Sequence, residues 1–264
     1  MIAAHMDLSH NPSIRLLQIT DSHLFAEDDG ELGGINTAQS LHAVLAATHS
    51  DALPPRAILA TGDLVQDGTR AGYERFRRAL EVCEVPVHCI PGNHDCPELM
   101  RALLDEPPFT FCGHARYDGW IIPLLSSWLP DSAGGRLGLE ELARLDALLG
   151  SHEREHALVC LHHQPVPMGS AWLDQSALED AEALLAVSDR HDNVRAILWG
   201  HVHQASDRAR GRVRLMSTPS TSVQFAPASK TFSYDSMTPG WRWLELHADG
   251  TIDTRVGRLP ADAL

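Results

Sequence analysis

The chain has 264 residues, 44% of them hydrophobic, with 21 basic against 35 acidic side chains and a formal charge of −14. That apolar content excludes a disordered chain, and the acidic surplus disfavours unaided binding to nucleic acid polymers or an anionic membrane. An anionic substrate would need a locally positive site, such as bound cations. The five cysteines are Cys83, Cys89, Cys96, Cys112 and Cys160. An odd count with no Cys-x-x-Cys pair reads as reduced thiols, so the expected location is cytoplasmic. Neither a signal-peptide pattern nor an apolar run near the ~18–20 residues of a bilayer span is seen.

Residues 1–13 are polar and read as a loose lead-in to a single domain over residues 14–258. Residues 14–20 form the first expected strand, and the Asp-, Glu- and Gly-rich residues 25–36 a loop over its end. Asn36 or Thr37 can cap a helix whose Leu41, Val44, Leu45 and Thr48 share one face. A second strand follows at 57–61. Thr69 then opens a helix with Tyr73, Phe76, Ala79 and Leu80 inward. Residues 85–90 complete a β-α-β-α-β run, which requires parallel pairing. A short helix is expected at 96–104 and a strand at 120–125. Leucines at 139, 142, 145, 148 and 149 predict a helix ended by Gly150. A strand at 157–161, a Pro-containing loop to Trp172, a helix at 176–190 and a strand at 194–199 come next. Short apolar runs at 213–216, 241–246 and 251–256 finish the chain, the last two joined by a hairpin loop at 247–250.

Five of these strands run into metal-ligand chemistry. Asp21 and His23 follow the first, Asp63 the second, and Asn93, His94 and Asp95 the third. His162 and His163 follow strand 157–161, and His201 and His203 follow strand 194–199. Open α/β sheets bind ligands at the carboxyl ends of their strands. Taken singly, each residue reads as a surface or capping group; the set of five reads as a site. Mixed oxygen and nitrogen donors without thiolate suit iron or manganese, with zinc also admissible, better than a Cys-type structural zinc. One carboxylate, Asp63, can serve two cations ~3.5–4 Å apart. Asp21 and His23 can reach one ion together, and His201 and His203 can aim one imidazole at each. Two divalent ions, two carboxylates and a bridging hydroxide leave roughly +1, matched to a phosphodiester monoanion. His162 directly continues its strand and is the expected ligand, with His163 supporting it. Asp67 and Asp95 are expected to support or cap, and Trp172 is the one tryptophan considered for contact with a base.

The ordered blocks Asp21-x-His23, Gly62-Asp63-x-x-x-Asp67, Gly92-Asn93-His94-Asp95, His162 and Gly200-His201-x-His203 together resemble the calcineurin-like metallophosphoesterase superfamily. The resemblance implies an α/β fold of four layers, an αββα sandwich of two mixed sheets flanked by helices. It implies a dinuclear centre, one metal on Asp21, His23, Asp63 and His203 and the other on Asp63, Asn93, His162 and His201. It also implies a substrate-contacting surface of His23, Asp63, Asn93, His94 and His203, with His94 touching the phosphate and protonating the leaving oxygen. Residues 16–25, 170–175, 218–225 and 239–242 are similar to the bacterial class III 3′,5′-cyclic-AMP phosphodiesterases. That likeness implies hydrolysis of cyclic AMP to 5′-AMP by a metal-bridging hydroxide, and leaves a homodimer open. Two rivals remain at this stage: a broad phosphodiesterase of glycerophosphodiesters and aryl diesters, and an inactive scaffold. Residues 115–138 match no motif.

Overall fold

The computed structural model describes residues 13–51 and 53–264, so all but Ser13 of the expected lead-in lies outside the described residues. In chain order the strands and helices are β1 (Ile14–Ile19), β2 (Glu31–Leu32), β3 (Ile35–Asn36), α1 (Thr37–His49), β4 (Ala57–Thr61), α2 (Arg70–Glu81) and β5 (Val87–Ile90). Next are α3 (Pro97–Leu103), β6 (Phe109–Phe111), β7 (Gly113–Tyr117), β8 (Trp120–Leu124), α4 (Gly138–Ser151), β9 (His156–Cys160) and α5 (Ala181–Arg190). The chain finishes with β10 (Val194–Trp199), β11 (Ser206–Arg210), β12 (Val213–Ser217), β13 (Gln224–Phe225), β14 (Tyr234–Asp235), β15 (Gly240–Leu246) and β16 (Ile252–Arg258).

Two six-stranded mixed sheets result, ordered β16-β15-β1-β4-β5-β6 and β11-β12-β10-β9-β8-β7. The β-α-β-α-β run pairs in parallel as expected: β1 with β4, and β4 with β5. Strands β1, β4, β5, β9 and β10 read as nearly unbroken apolar runs because both faces of each are covered. On the outer face of the first sheet, Leu17, Ile19, Ile58 and Ala60 pack with Leu41 and Val44 of α1 and Tyr73 and Phe76 of α2. On the outer face of the second, Val159, Ile197 and Trp199 pack with Leu145 of α4 and Leu184 of α5. Between the sheets, Leu16, Leu59 and Leu244 meet Leu158, Leu198 and Met216. Helix, sheet, sheet, helix is the expected αββα order.

The helix start signals hold. Asn36 caps α1 by accepting the Gln39 amide, and Thr69 caps α2 by accepting the Gly72 amide. Two expectations are corrected. The helix anticipated at 176–190 is a 3-10 turn at Leu173–Ser176, a break, and then the shorter α5. Asp180 shortens it by turning its carboxylate to the Leu137 and Gly138 amides instead of to its own helix. Gly150 does not end α4, which runs to Ser151, and Leu139 is 88% exposed at its first turn, outside the buried stripe.

Candidate metal centre

The anticipated donors converge at the carboxyl ends of β1, β4, β5, β9 and β10, on the seam between the two sheets. Asp21, His23, Asp63, His162, His201 and His203 are all buried. Four overlapping trios place ligand atoms within 4.8 Å of one another: Asp21, His23 and His203; Asp21, Asp63 and His162; His23, Asp63 and His94; His162, His163 and His201. Asp63 belongs to two of the trios and Asp21 to two, so the carboxylates sit where separate donor sets meet.

The strands stop abruptly to achieve this. Asp21, His23, Asp63, His201 and His203 all have left-handed backbones, with φ between 47° and 63°. Non-glycine residues rarely adopt that conformation, and clusters of them mark sites where surrounding structure holds the strain. Two glycines make room. A Cβ on Gly62 (φ +96°) would lie 2.3 Å from His162 Nδ1, and one on Gly92 would lie 2.2 Å from Asp63 Oδ1.

Hydrogen bonds fix which atom of each ring faces inward. His162 Nδ1–H donates to the Thr61 carbonyl at 2.7 Å, leaving Nε2 at 3.3 Å from Asp63 Oδ2 and 3.9 Å from Asp21 Oδ1. The 3.3 Å approach is close enough for charge attraction but lies off hydrogen-bond geometry. His203 Nδ1–H donates to the Val223 carbonyl at 2.8 Å, leaving Nε2 at 3.4 Å from Asp21 Oδ1 and 3.1 Å from His23 Nε2. Asp21 accepts the His201 amide on both oxygens, and Asp63 Oδ1 accepts the His94 amide. This pattern, one ring nitrogen anchored on a carbonyl and the other free, is how imidazole ligands are oriented.

Charge reinforces the geometry. Burial pushes Asp21 and Asp63 upward, but the histidines beside them outweigh it: His203 and His162 hold Asp21 below the usual carboxylate range, and His162 and His23 hold Asp63 well below it. Burial drives His23 down to about 4, and holds His163 and His201 well below the ordinary imidazole value. His162 alone rises, to about 9, because Asp63 and Asp21 overcome its burial. Two carboxylates and a ring of mostly neutral imidazoles are a donor set for cations. Asn93 Oδ1 and His162 Nε2 support that fit, since both are buried and accept no hydrogen bond from the protein. The residues present therefore suit a pair of divalent ions.

The supporting groups are partly those expected. Asp95 accepts the Gly92, Leu64 and Val65 amides and the Tyr73 hydroxyl, bracing the β5 loop against the β4 loop. Burial and the Asp63 charge raise it to about 7. Asp67 accepts the Thr69 amide and hydroxyl ahead of α2. His163 Nδ1 and Ser127 Oγ share a 2.8 Å hydrogen bond, which gives residues 115–138 a place beside the site. Sequence reasoning missed Ser127, and it missed Phe225, whose ring stacks on His203 with centroids 3.9 Å apart and planes 14° apart. It also missed how residues 218–225 strap the centre. Ser220 Oγ donates to the Asp21 carbonyl, and the Thr221 amide donates to the Thr20 carbonyl. The likeness of residues 218–225 to the class III phosphodiesterases marked the stretch in advance, but a run of small polar residues does not say which carbonyls it grips.

Comparison with known proteins agrees with this geometry. A family model described as calcineurin-like phosphoesterase matches residues 14–205. The 3′,5′-cyclic adenosine monophosphate phosphodiesterase CpdA of Vibrio vulnificus is 42% identical over 253 residues, covering 96% of this chain and 92% of its own. Its namesake in Escherichia coli strain K12 is 39% identical over 259 residues, covering 96% and 93%. Among solved structures, a dimetal phosphatase of Danio rerio matches with TM-score 0.65 at 14% identity, over 94% of this chain and 100% of its own, and shares the fold. With five strand ends delivering the motif residues to one centre, the chain belongs to the calcineurin-like phosphoesterase family.

Proposed function

We propose that the chain hydrolyses 3′,5′-cyclic AMP to 5′-AMP at a dinuclear centre. The observation that carries this is the convergence of Asp21, His23, Asp63, His162, His201 and His203 on one buried seam, with Asp63 common to two donor trios. Relatives about 40% identical over more than nine-tenths of the chain carry cyclic-AMP phosphodiesterase names, which supports the substrate. Asp21, His23, Asp63 and His203 would hold one ion, and Asp63, Asn93, His162 and His201 the other. The oxygen and imidazole donors favour iron or manganese, with zinc admissible. Once bound, the cations supply Lewis acidity, lowering the pKa of a water and offsetting charge on the phosphoryl group.

The protein's own groups do the rest. Burial excludes bulk water from the carboxylates and keeps His23 and His201 neutral, while the Thr61 and Val223 carbonyls orient His162 and His203. His94, tied through its amide to Asp63 and with Nδ1 3.4 Å from the Gln66 carbonyl, reaches solvent at the rim of the centre. It contacts the phosphate and gives a proton to the 3′ oxygen as the bond from phosphorus to that oxygen breaks. A water oxygen becomes the new phosphate oxygen, so one water is consumed for each 5′-AMP formed.

The test is a comparison of kcat/KM for cyclic AMP, cyclic GMP and a bis-aryl phosphate, with elemental analysis of the purified protein. Cyclic AMP should lead, with about two metal ions per chain. An aryl diester preferred by orders of magnitude would replace the narrow substrate by a broad one.

A further inference from the structure

Beside the centre the protein exposes an aromatic surface that the metal site does not require. Strands β13 and β14 form a small antiparallel ribbon in which Phe225 faces Tyr234 across the pair. Phe232 packs edge-on against both, with centroids 5.5 Å from Phe225 and 4.9 Å from Tyr234. Trp172, from the loop after β9, meets Phe225 at 5.1 Å and Phe232 at 5.2 Å, again edge to face. The two loops are tied together: the Ala171 amide donates to the Ser229 carbonyl at 3.0 Å. On the other side, the β2–β3 turn closes in, since a Cβ on Gly33 would touch the Tyr234 ring at 2.9 Å.

Most of this cluster is held from behind, but its outer faces are open. Phe232 is 53% and Tyr234 41% exposed, and with Met237 they supply three of the seven exposed large hydrophobics among the described residues. Aromatic surface left exposed beside a polar centre is where a flat apolar group can bind. Its attachment says what. Phe225 stacks face to face on His203, so the patch begins at a ligand of the proposed centre and runs outward through two ring-to-ring steps of 3.9 and 5.5 Å. A molecule whose phosphate lies at the centre and whose flat ring lies a sugar's length away would meet it.

We propose that Phe232 and Tyr234, backed by Phe225 and Trp172, form the wall on which the substrate's nucleobase stacks, and so set the preference for nucleotides over diesters without a base. This rests on the reading of the centre as a nucleotide phosphodiesterase. Aromatic faces accept any base, so the wall selects for a base rather than for one purine over another.

The holoenzyme tests this by calorimetric binding of 5′-AMP against ribose 5-phosphate, with kcat/KM for cyclic AMP against the abasic ribose 3,5-cyclic phosphate. Stacking on one side chain predicts an advantage of roughly ten-fold for the base-bearing ligand of each pair. Phe232→Ala should erase most of that advantage, and Phe232→Tyr, which keeps a ring, should restore it. Phe232 is more than half exposed, so its truncation does not threaten the core. If the wild type shows no preference for AMP over ribose 5-phosphate, or if Phe232→Ala weakens both equally, the proposal is overturned. It is overturned equally if the variant dissociates a dimer while the AMP preference persists, because the patch is then a subunit contact. An AMP preference that depends on Phe232 while cyclic AMP is not turned over would sink the proposed reaction and leave the wall standing.

Discussion

At Asp63 the two carboxylate oxygens divide their duties: Oδ1 accepts the His94 amide at 2.9 Å, while Oδ2 lies 3.3 Å from His162 and 3.8 Å from His23. Asp63→Asn keeps the shape and removes the charge that lifts His162 to about 9. Metal content measured by elemental analysis and turnover of a diester should fall together, by roughly 100-fold or more, since even supporting residues of a metal site cost 10–100-fold. Full metal loading with unchanged turnover would remove Asp63 from its shared position. The proposed donors were legible as a cluster in the sequence because ligand chemistry is confined to few residue types and these stood at strand ends. Phe225 and Ser127 were not, because a phenylalanine or a serine acquires a role at a metal centre only through a neighbour distant in the chain. Ser127 is 36 positions from His163, and Phe225 is 22 from the His203 ring it covers.

Elements deliver these side chains by stopping where they do. The end of β10 presses on the end of β1 so closely that a Cβ on Gly200 would lie 2.0 Å from Thr20 Oγ1 and 2.9 Å from Asp21 Oδ2. Gly200→Ala should therefore push two strand ends apart, costing about 1–3 kcal/mol of stability in a urea melt and displacing Asp21 from His201. Wild-type stability and turnover in that variant would show that the contact is soft. Strand cores and helix caps could be read in advance because both depend on residues a few positions apart. The first turn of α4 and the start of α5 could not. Asp180 bonds amides more than 40 residues earlier, and Leu139 would need a partner that the fold does not provide.

Across the whole molecule the two sheets are joined by buried polar links as well as by leucines. Arg242 in β15 is buried and donates to Ser217 and Ser206 carbonyls of the other sheet, and burial lowers it to about 10. His88 in β5 shares a 2.7 Å hydrogen bond with Tyr117 in β7, and burial depresses its pKa from 6.5 to about 4. The unfolded chain binds that proton more readily between those values, so this contribution is complete above about pH 6.5 and fades as the pH falls towards 4. It amounts to a few kcal/mol at most. His88→Leu should accordingly lose less Tm than the wild type between pH 7 and pH 4.5 in calorimetry. Equal losses would mean that His88 protonates freely in the folded state.

All seven proposed donors precede residue 204, yet part of what steadies them arrives later. The Val223 carbonyl aims His203, Ser220 and Thr221 bind the turn at Asp21, and β15 returns to zip along β1. During synthesis the donors all leave the ribosome before the strap that aligns them exists. Capture of the ions is thus expected late in the life of the chain, and a product ending before residue 218 is expected to display every motif yet hold metal weakly.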